Sequence, residues 1–268
     1  VYLAGETDSP LSGRRHGFLG KKDAFVARLG EGGWAHLLGG AEDEKLTGLA
    51  VAPNGDLIAS GYTLSPDLPL AGAPKGDGDA VLFKLTQDGK LLAHTGFGGS
   101  GQDTAWGLAI DADGQIYISG ITDSKNLPTP RKAYQRSLLG GSDVFLAKFD
   151  AALKLQWATY FGGSGRDQAG FDGRSLAIRD NGEIAFAGLT DSSDLPVSAD
   201  APQPRFAGGD LDGFVAVLSA DASQARFVSY FGSEGRDLRE GLAIQGEDVY
   251  TTGVRFLAQQ VDAVLAVF

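Results

Sequence analysis

Acidic residues recur at fixed places in this sequence of 268 residues, and any chemistry must be sought there first. Glu44, Asp103, Asp167 and Asp237 each follow a glycine-rich stretch, as in Gly98-Gly-Ser-Gly-Gln-Asp103. Four carboxylates around one axis could hold Ca²⁺, a hard cation that takes oxygen ligands. Their recurrence also has a plainer meaning, since an acid beside a tight turn accepts the backbone N–H groups of that turn. A dedicated metal site is not expected, and Ca²⁺ is the one cofactor these residues leave open. A second acidic series, Asp23, Asp79, Asp143, Asp212 and Asp262, opens an apolar run each time and reads as a cap in the same way. Asp111-Ala-Asp113-Gly114 starts like a calcium loop but lacks the rest of the twelve-residue pattern.

Where the repeats differ from one another, function has more room. Gly170-Phe-Asp-Gly173 is an insertion that brings Asp172 and Arg174 toward the place where Trp106 and Glu240 are expected from neighbouring repeats. An aromatic ring beside carboxylates and an arginine suits a sugar, the ring stacking on its apolar face and the charges taking its hydroxyls. Trp106 would serve equally well as plain packing. Basic residues cluster in two loops, Arg14-Arg-His-Gly-Phe18 and Arg131-Lys-Ala-Tyr-Gln-Arg136, which could meet a polyanionic glycan or an acidic partner. His16, His36 and His94 have no ligand spacing, and neither a Gly-x-Ser-x-Gly elbow nor a His-Glu-x-x-His helix is present. Gly98-Gly-Ser-Gly101 lacks the lysine and the following helix of a phosphate loop.

Composition narrows the classes. A net charge of −11 argues against nucleic acid as the main partner, because that binding needs clustered Lys and Arg. No apolar run reaches the roughly 18 residues of a spanning helix. Cysteine and methionine are absent, which excludes disulfides and thiolate metal sites. Starting at Val1, the sequence is expected to be processed or trimmed, with any export signal lying outside it. Glycine, at 40 residues, is about twice as frequent as usual and implies many tight turns.

The elements that must position these residues follow from a long repeat. A buried-strand pattern, strand a, recurs as Gly48-Leu-Ala-Val51, Gly107-Leu-Ala-Ile110, Ser175-Leu-Ala-Ile178 and Gly241-Leu-Ala-Ile244. It runs into Asn54-Gly55, Asp113-Gly114 or Asn181-Gly182, a strong hairpin signal between two apolar runs because both residues accept positive φ. Strand b follows and ends in Gly5, Gly61, Gly120, Gly188 and Gly253, at intervals of 56, 59, 68 and 65 residues. After three of these glycines comes Gly-x-Thr-x-Ser-x-Asp/Asn-Leu-Pro. Strand c opens at the second acidic series, and strand d closes on Gly39, Gly98, Gly162 or Gly232.

This count predicts 18 strands and no helix: b, c, d, then three full sets, then a, b, c. Four-stranded units in tandem fit an all-β propeller of antiparallel blades. Five blades in one domain, residues 1–268, are expected, with units near 1–40, 41–99, 100–163, 164–232 and 233–268; a larger ring is the alternative. A d and an a strand from outside the sequence would complete the five. The long b–c loops, together with the d–a loops, are expected to form the working face.

Three stretches resemble the SBBP bacterial β-propeller repeats: Gly98-Gly-Ser-Gly-x-Asp103, Gly107-Leu-Ala-Ile-Asp-x-Asp-Gly-x-Ile-Tyr-Ile-Ser-Gly-Ile-Thr122 and Gly140-Gly-Ser-Asp-Val-Phe-Leu-Ala-Lys148. The resemblance covers nearly the whole chain, most clearly its middle three units. It implies a propeller from an exported or surface-attached bacterial protein, with no catalytic residue set to carry over. The name of that family implies seven blades, whereas five units are visible here.

The expected function is a non-catalytic binding or assembly module, extracellular or at the cell surface, with a protein or a glycan as partner. Self-association is open to it, and membrane insertion is not expected. Its candidate binding residues are Trp106, Asp172, Arg174, Glu240, Glu44, Asp103, Asp167 and Asp237. One alternative is a carbohydrate-active enzyme using Glu44, Asp172 and Glu240, since glycoside cleavage needs two carboxyls about 5 to 10 Å apart. Another is a structural subunit completed by a partner's strand.

Overall fold

The computed structural model describes every residue except 10–19, 69, 71–75, 171–173 and 258–259; for 236–240, 255–257, 260–261 and 264 it describes the backbone alone. The chain is all-β, built of antiparallel sheets, with no helix among the described residues.

Among the described residues, nineteen strands form five sheets in chain order. The first holds β1 (Tyr2–Thr7), β2 (Asp23–Arg28) and β3 (Trp34–Leu38); the second holds β4 (Glu44–Val51), β5 (Leu57–Thr63), β6 (Asp79–Leu85) and β7 (Leu91–Phe97). The third holds β8 (Asp103–Ile110), β9 (Ile116–Thr122), β10 (Asp143–Phe149) and β11 (Leu155–Phe161). In the fourth, β12 (Asp167–Ala169) and β13 (Leu176–Ile178) both pair with β14 (Ile184–Thr190), which is followed by β15 (Asp212–Leu218) and β16 (Ala225–Phe231). The fifth holds β17 (Arg236–Gln245), β18 (Asp248–Leu257) and β19 (Gln260–Val267).

The nineteenth strand corrects the expected 18. Strand a of the fourth sheet is broken by the insertion, which leaves β12 and β13 on either side of it. In the other sheets strand a instead carries a one-residue bulge at the same place: between Leu46 and Gly48, Ala105 and Gly107, and Arg239 and Gly241. A bulge leaves one residue without a partner across the ladder, so it is where an insertion does least damage.

The a–b hairpins expected at Asn54-Gly55, Asp113-Gly114 and Asn181-Gly182 are present. Gly55, Gly114 and Gly182 have positive φ, but Asn54, Asp113 and Asn181 do not. In each turn the glycine N–H reaches back three residues, as from Gly114 to the Asp111 carbonyl at 3.0 Å. This is the three-residue hairpin, a type I turn followed by one left-handed residue. Asp111 fits it better than the tighter turn because its Oδ1 also accepts the N–H groups of Asp113 and Gln115, at 3.0 and 2.8 Å.

Alternate residues of each central strand feed different cores. On β6, Ala80 and Leu82 join one cluster with Ile118, Phe145 and Tyr160 of the third sheet, while Val81, Phe83 and Leu85 join another with Val26 and Trp34 of the first. On β10, Phe145, Ala147 and Phe149 face the second sheet; Val144 and Leu146 pack with Phe186, Phe214 and Tyr230 of the fourth. A smaller cluster of Ala185, Ala187, Val215, Val217 and Val249 joins the fourth sheet to the fifth. Each pair of neighbouring sheets thus shares its own core, and the middle sheets are buried on both faces.

Strand b does not end at its glycine as expected but runs on to Thr7, Thr63, Thr122, Thr190 and Leu257, and close packing of strand a on strand b explains why glycine stands there. At Gly120 a Cβ would fall well inside contact distance of the Thr104 carbonyl oxygen on β8, and 2.7 Å from Cε1 of Phe145. Thr104 lies two residues before the bulge in β8 and pairs in register with Ile121.

The long b–c loops do not stand free in the third and fourth sheets. They lie along strand d: the Tyr160 and Tyr230 N–H groups donate to the carbonyls of Gln135 and Gln203, each at 3.1 Å. The two glutamine side chains then accept from Gly162 and Gly232, each at 3.0 Å. These loops cover outer edges that would otherwise offer unpaired backbone to another chain.

Candidate functional site

The repeated acids open strand a rather than sit in the loop before it. Glu44, Asp103 and Asp167 are the first residues of β4, β8 and β12, and Asp237 is the second of β17. Glu44, Asp103 and Asp167 are fully buried. Each carboxylate holds its own glycine turn: Glu44 Oε2, Asp103 Oδ2 and Asp167 Oδ2 accept from the N–H groups of Gly40, Gly99 and Gly163, all at 2.8 Å.

The next three N–H groups of the turn are held by the Thr-x-Ser-x-Asp/Asn motif of the following b–c loop. In the third sheet the donors Ser100, Gly101 and Gln102 reach Asn126 Oδ1 at 2.8 Å, Ser124 Oγ at 2.8 Å and Asp123 Oδ1 at 2.6 Å. In the fourth, Ser164, Gly165 and Arg166 do the same with Asp194, Ser192 and Asp191. Ser124 and Ser192 also donate back to Asp103 and Asp167, at 2.7 and 2.9 Å. Four successive backbone donors are thus satisfied by four side chains, although Ser100 and Gln102 are themselves exposed. Ser124→Ala removes both an acceptor and a donor from this network, and should lower stability by about 1–3 kcal/mol in urea titration with no change of fold.

Acids of the two series meet across strand b. Thr122 pairs in register with Asp103 on one side and Asp143 on the other; Thr63 stands likewise between Glu44 and Asp79, and Thr190 between Asp167 and Asp212. Asp143 also caps its own loop, its Oδ2 accepting from Leu139 at 3.0 Å and its Oδ1 from Gly140 at 3.2 Å. Burial is the main cause that raises the pKa of Glu44, Asp103, Asp143 and Asp167, and hydrogen bonds to the carboxylates oppose it. Asp167 is pushed up to about 6, with the nearby Asp143 adding to the effect of burial. In the fifth sheet Arg255 takes the register position of the threonine, between Asp237 and Asp262. Asp262 is the third residue of β19, so it does not open that strand as expected.

The three described acids belong to three sheets and are not brought together. Among the described residues, no group of three or more His, Asp or Glu gathers as metal ligands. As an acid for glycoside cleavage, Glu44 would have to leave a buried position where Thr63 donates to it at 2.6 Å.

The divergent residues share one place in the fold. Trp106 and Glu240 are the bulged residues of β8 and β17, the insertion that contains Asp172 occupies the corresponding place between β12 and β13, and Thr47 holds it in β4. Trp106 is half-buried, and Thr47 donates to the Ala105 carbonyl of the neighbouring strand at 2.8 Å. Arg174 is exposed, and its carbonyl accepts from Leu242 of β17 at 2.8 Å. Asp172 lies outside the described residues, as do the side chains of Asp237 and Glu240. Thr47 was missed from the sequence alone; aligning the units on Gly48, Gly107 and Gly241 puts it in line with Trp106 and Glu240.

A hollow of about 590 Å³ lies on the other face, between the a–b turns of the fourth and fifth sheets. Ile178 and Ile244 form its apolar part, with Arg179, Glu183 and Glu247 around it. Arg179 pairs with Glu183 at 3.0 Å. The loops of the expected working face do not line this hollow.

Comparison with known proteins gives similarity but no family. No family model matches the chain. It is 26% identical over 179 residues to the regulatory protein FlaEY of Caulobacter vibrioides, which covers 65% of this chain and 18% of that protein. The chain therefore spans less than a fifth of that relative's length. Among solved structures, a protein of unknown function from Dyadobacter fermentans superposes with a TM-score of 0.51 at 10% identity, over 83% of this chain and 66% of the other. A puromycin hydrolase variant (TM-score 0.45, 13% identity, 91% and 31% coverage) and the lignostilbene dioxygenase of Pseudomonas brassicacearum (0.41, 17%, 81% and 45%) are more distant.

Proposed function

We propose that the chain is a five-bladed β-propeller of the SBBP-like kind that works as a non-catalytic binding or assembly module, outside the cell or on its surface. The propeller reading is supported by five sheets that follow one another in chain order, share a core with each neighbour and place strand a beside strand a. A ring of 268 residues should have a radius of gyration of about 18 Å in small-angle scattering, whereas an open arc would be clearly larger.

The observation that carries the binding reading is the division of labour between residues. Repeated acids and hydroxyls are committed to holding turns, while the residues that differ between sheets collect at the strand-a bulge. A rigid repeat that varies at one position on neighbouring inner strands is suited to recognition. Trp106 supplies an aromatic face there, and a glycan or a protein segment with exposed apolar and hydroxyl groups is the fitting ligand class. Trp106→Ala should weaken binding to the best glycan or peptide found on an array about tenfold or more, while the melting temperature moves little. Unchanged affinity in that variant would remove the bulge row as the binding locus.

A further inference from the structure

Among the described residues, the first sheet holds the b, c and d positions and the fifth holds a, b and c. The strands at their open edges differ from their counterparts elsewhere. Leu3 on β1 is 43% exposed, whereas Ala59, at the same register position on β5, is 0% exposed. Leu265 on β19 is 66% exposed, and its counterpart Leu82 on β6 is 1% exposed. Apolar side chains that the other sheets bury are thus presented to solvent along both edges.

The turn-holding motif beside β1 is folded in the same way as its counterparts. Ser9 N–H donates to Thr7 Oγ1 at 3.1 Å, as Ser124 N–H does to Thr122 at 3.0 Å. Buried Ser124 holds Gly101 of an incoming turn and Asp123 holds Gln102. Ser9 is exposed and donates to its neighbour Asp8 at 3.0 Å, and Asp8 is exposed as well. The first sheet therefore carries, in solvent, the hydroxyl and carboxylate that elsewhere catch a Gly-Gly-Ser-Gly turn.

We propose that the β19 edge, the β1 edge and the Thr7-Asp8-Ser9 motif together receive one strand–turn–strand segment of the repeat's own d–a pattern, contributed by a further stretch of the same polypeptide. Its first strand pairs with β19, its turn is held by Asp8 and Ser9, and its second strand pairs with β1. An acid at the start of that second strand stands opposite Thr7, as Asp103 stands opposite Thr122. The same polypeptide is the favoured source because strand a leads straight into strand b through a short hairpin in each of the other four sheets. The inference rests on the propeller reading, which brings the fifth sheet beside the first.

A synthetic peptide of residues 91–110, the d–a segment that joins the second and third sheets, is the probe. Added to the 268-residue chain, it should bind one to one and slow amide hydrogen exchange in β1 and β19. The double variant Asp8→Ala/Ser9→Ala should weaken that binding about tenfold through loss of the turn's acceptors, at an unchanged melting temperature because both residues are exposed. No protection at either edge, or equal affinity in the variant, overturns the proposal. A concentration-dependent dimer that excludes the peptide also overturns it, by making a second copy the occupant. With a radius of gyration near 18 Å, such failure leaves the propeller reading standing; a much larger radius removes that reading first, and this one with it.

Discussion

Gly120→Ala is expected to destabilise the chain by about 3 kcal/mol or more, a large part of the 5–15 kcal/mol that holds a typical domain folded. The added methyl has nowhere to go. On one side is the Thr104 carbonyl of β8, and on the other is the Phe145 ring, which is fully buried between the second and third sheets. Shortening Phe145 would not relieve the clash, because the carbonyl remains. The same geometry recurs at Gly61 under the Lys45 carbonyl and at Gly188 under that of Gln168, so alanine there should behave alike. Gly114 is the control: a Cβ there meets nothing within 4 Å, and only its φ of 75° opposes alanine, at about 1–2 kcal/mol. Urea unfolding of Gly120→Ala and Gly114→Ala would separate the two causes. Equal losses would mean that close approach of strand a is not what demands glycine at this position of strand b.

These glycines show how far the sequence could be read. Their recurrence located strand b in every unit, because a strand buried on both faces leaves a run of apolar residues, but the strand does not stop at the glycine and runs on to Thr7, Thr63, Thr122, Thr190 and Leu257. Why glycine stands there was not legible, since the clashing carbonyl belongs to a residue of strand a some 16 to 20 positions earlier, such as Thr104 for Gly120 and Gln168 for Gly188. The acids followed the same course. A cap on the glycine turn could be inferred from Asp103 four residues after Gly99, but the partners Ser124 and Asn126 come from the next b–c loop, more than 20 residues away. The motif Gly-x-Thr-x-Ser-x-Asp/Asn-Leu-Pro was visible as a pattern and silent as to what it held. The b–c loops look like free loops in sequence because their backbone contacts with strand d, such as Gln135 with Tyr160, follow no periodicity. Trp106 and Glu240 were grouped from sequence position alone, and the shared bulge now gives that grouping a structural basis.

Stability should fall as pH rises from about 4 to about 6, with Asp167 the main cause. Burial raises its pKa from 3.8 to about 6, so the folded chain keeps a proton over a range in which the unfolded chain has already released it. A group that binds its proton more tightly in the folded state contributes fully below its unfolded pKa, and that contribution is lost as pH climbs through the folded value. For Asp167 it amounts to about 3 kcal/mol between pH 3.8 and neutrality. Glu44, Asp103 and Asp143 are shifted in the same direction and add to the slope. Asp167→Asn isolates the effect, since an asparagine oxygen can still accept from Gly163 and Ser192 while carrying no charge. The difference in unfolding free energy between the two proteins, measured in urea at pH 4, 5, 6 and 7, should shift in favour of the variant as pH rises. Asp143→Asn should flatten the slope as well, because it removes both its own raised carboxyl and the neighbouring charge that adds to the effect of burial on Asp167. A difference that stays constant from pH 4 to 7 would mean that Asp167 titrates as an ordinary aspartate, and that its turn, its serine and its threonine fully offset the loss of water.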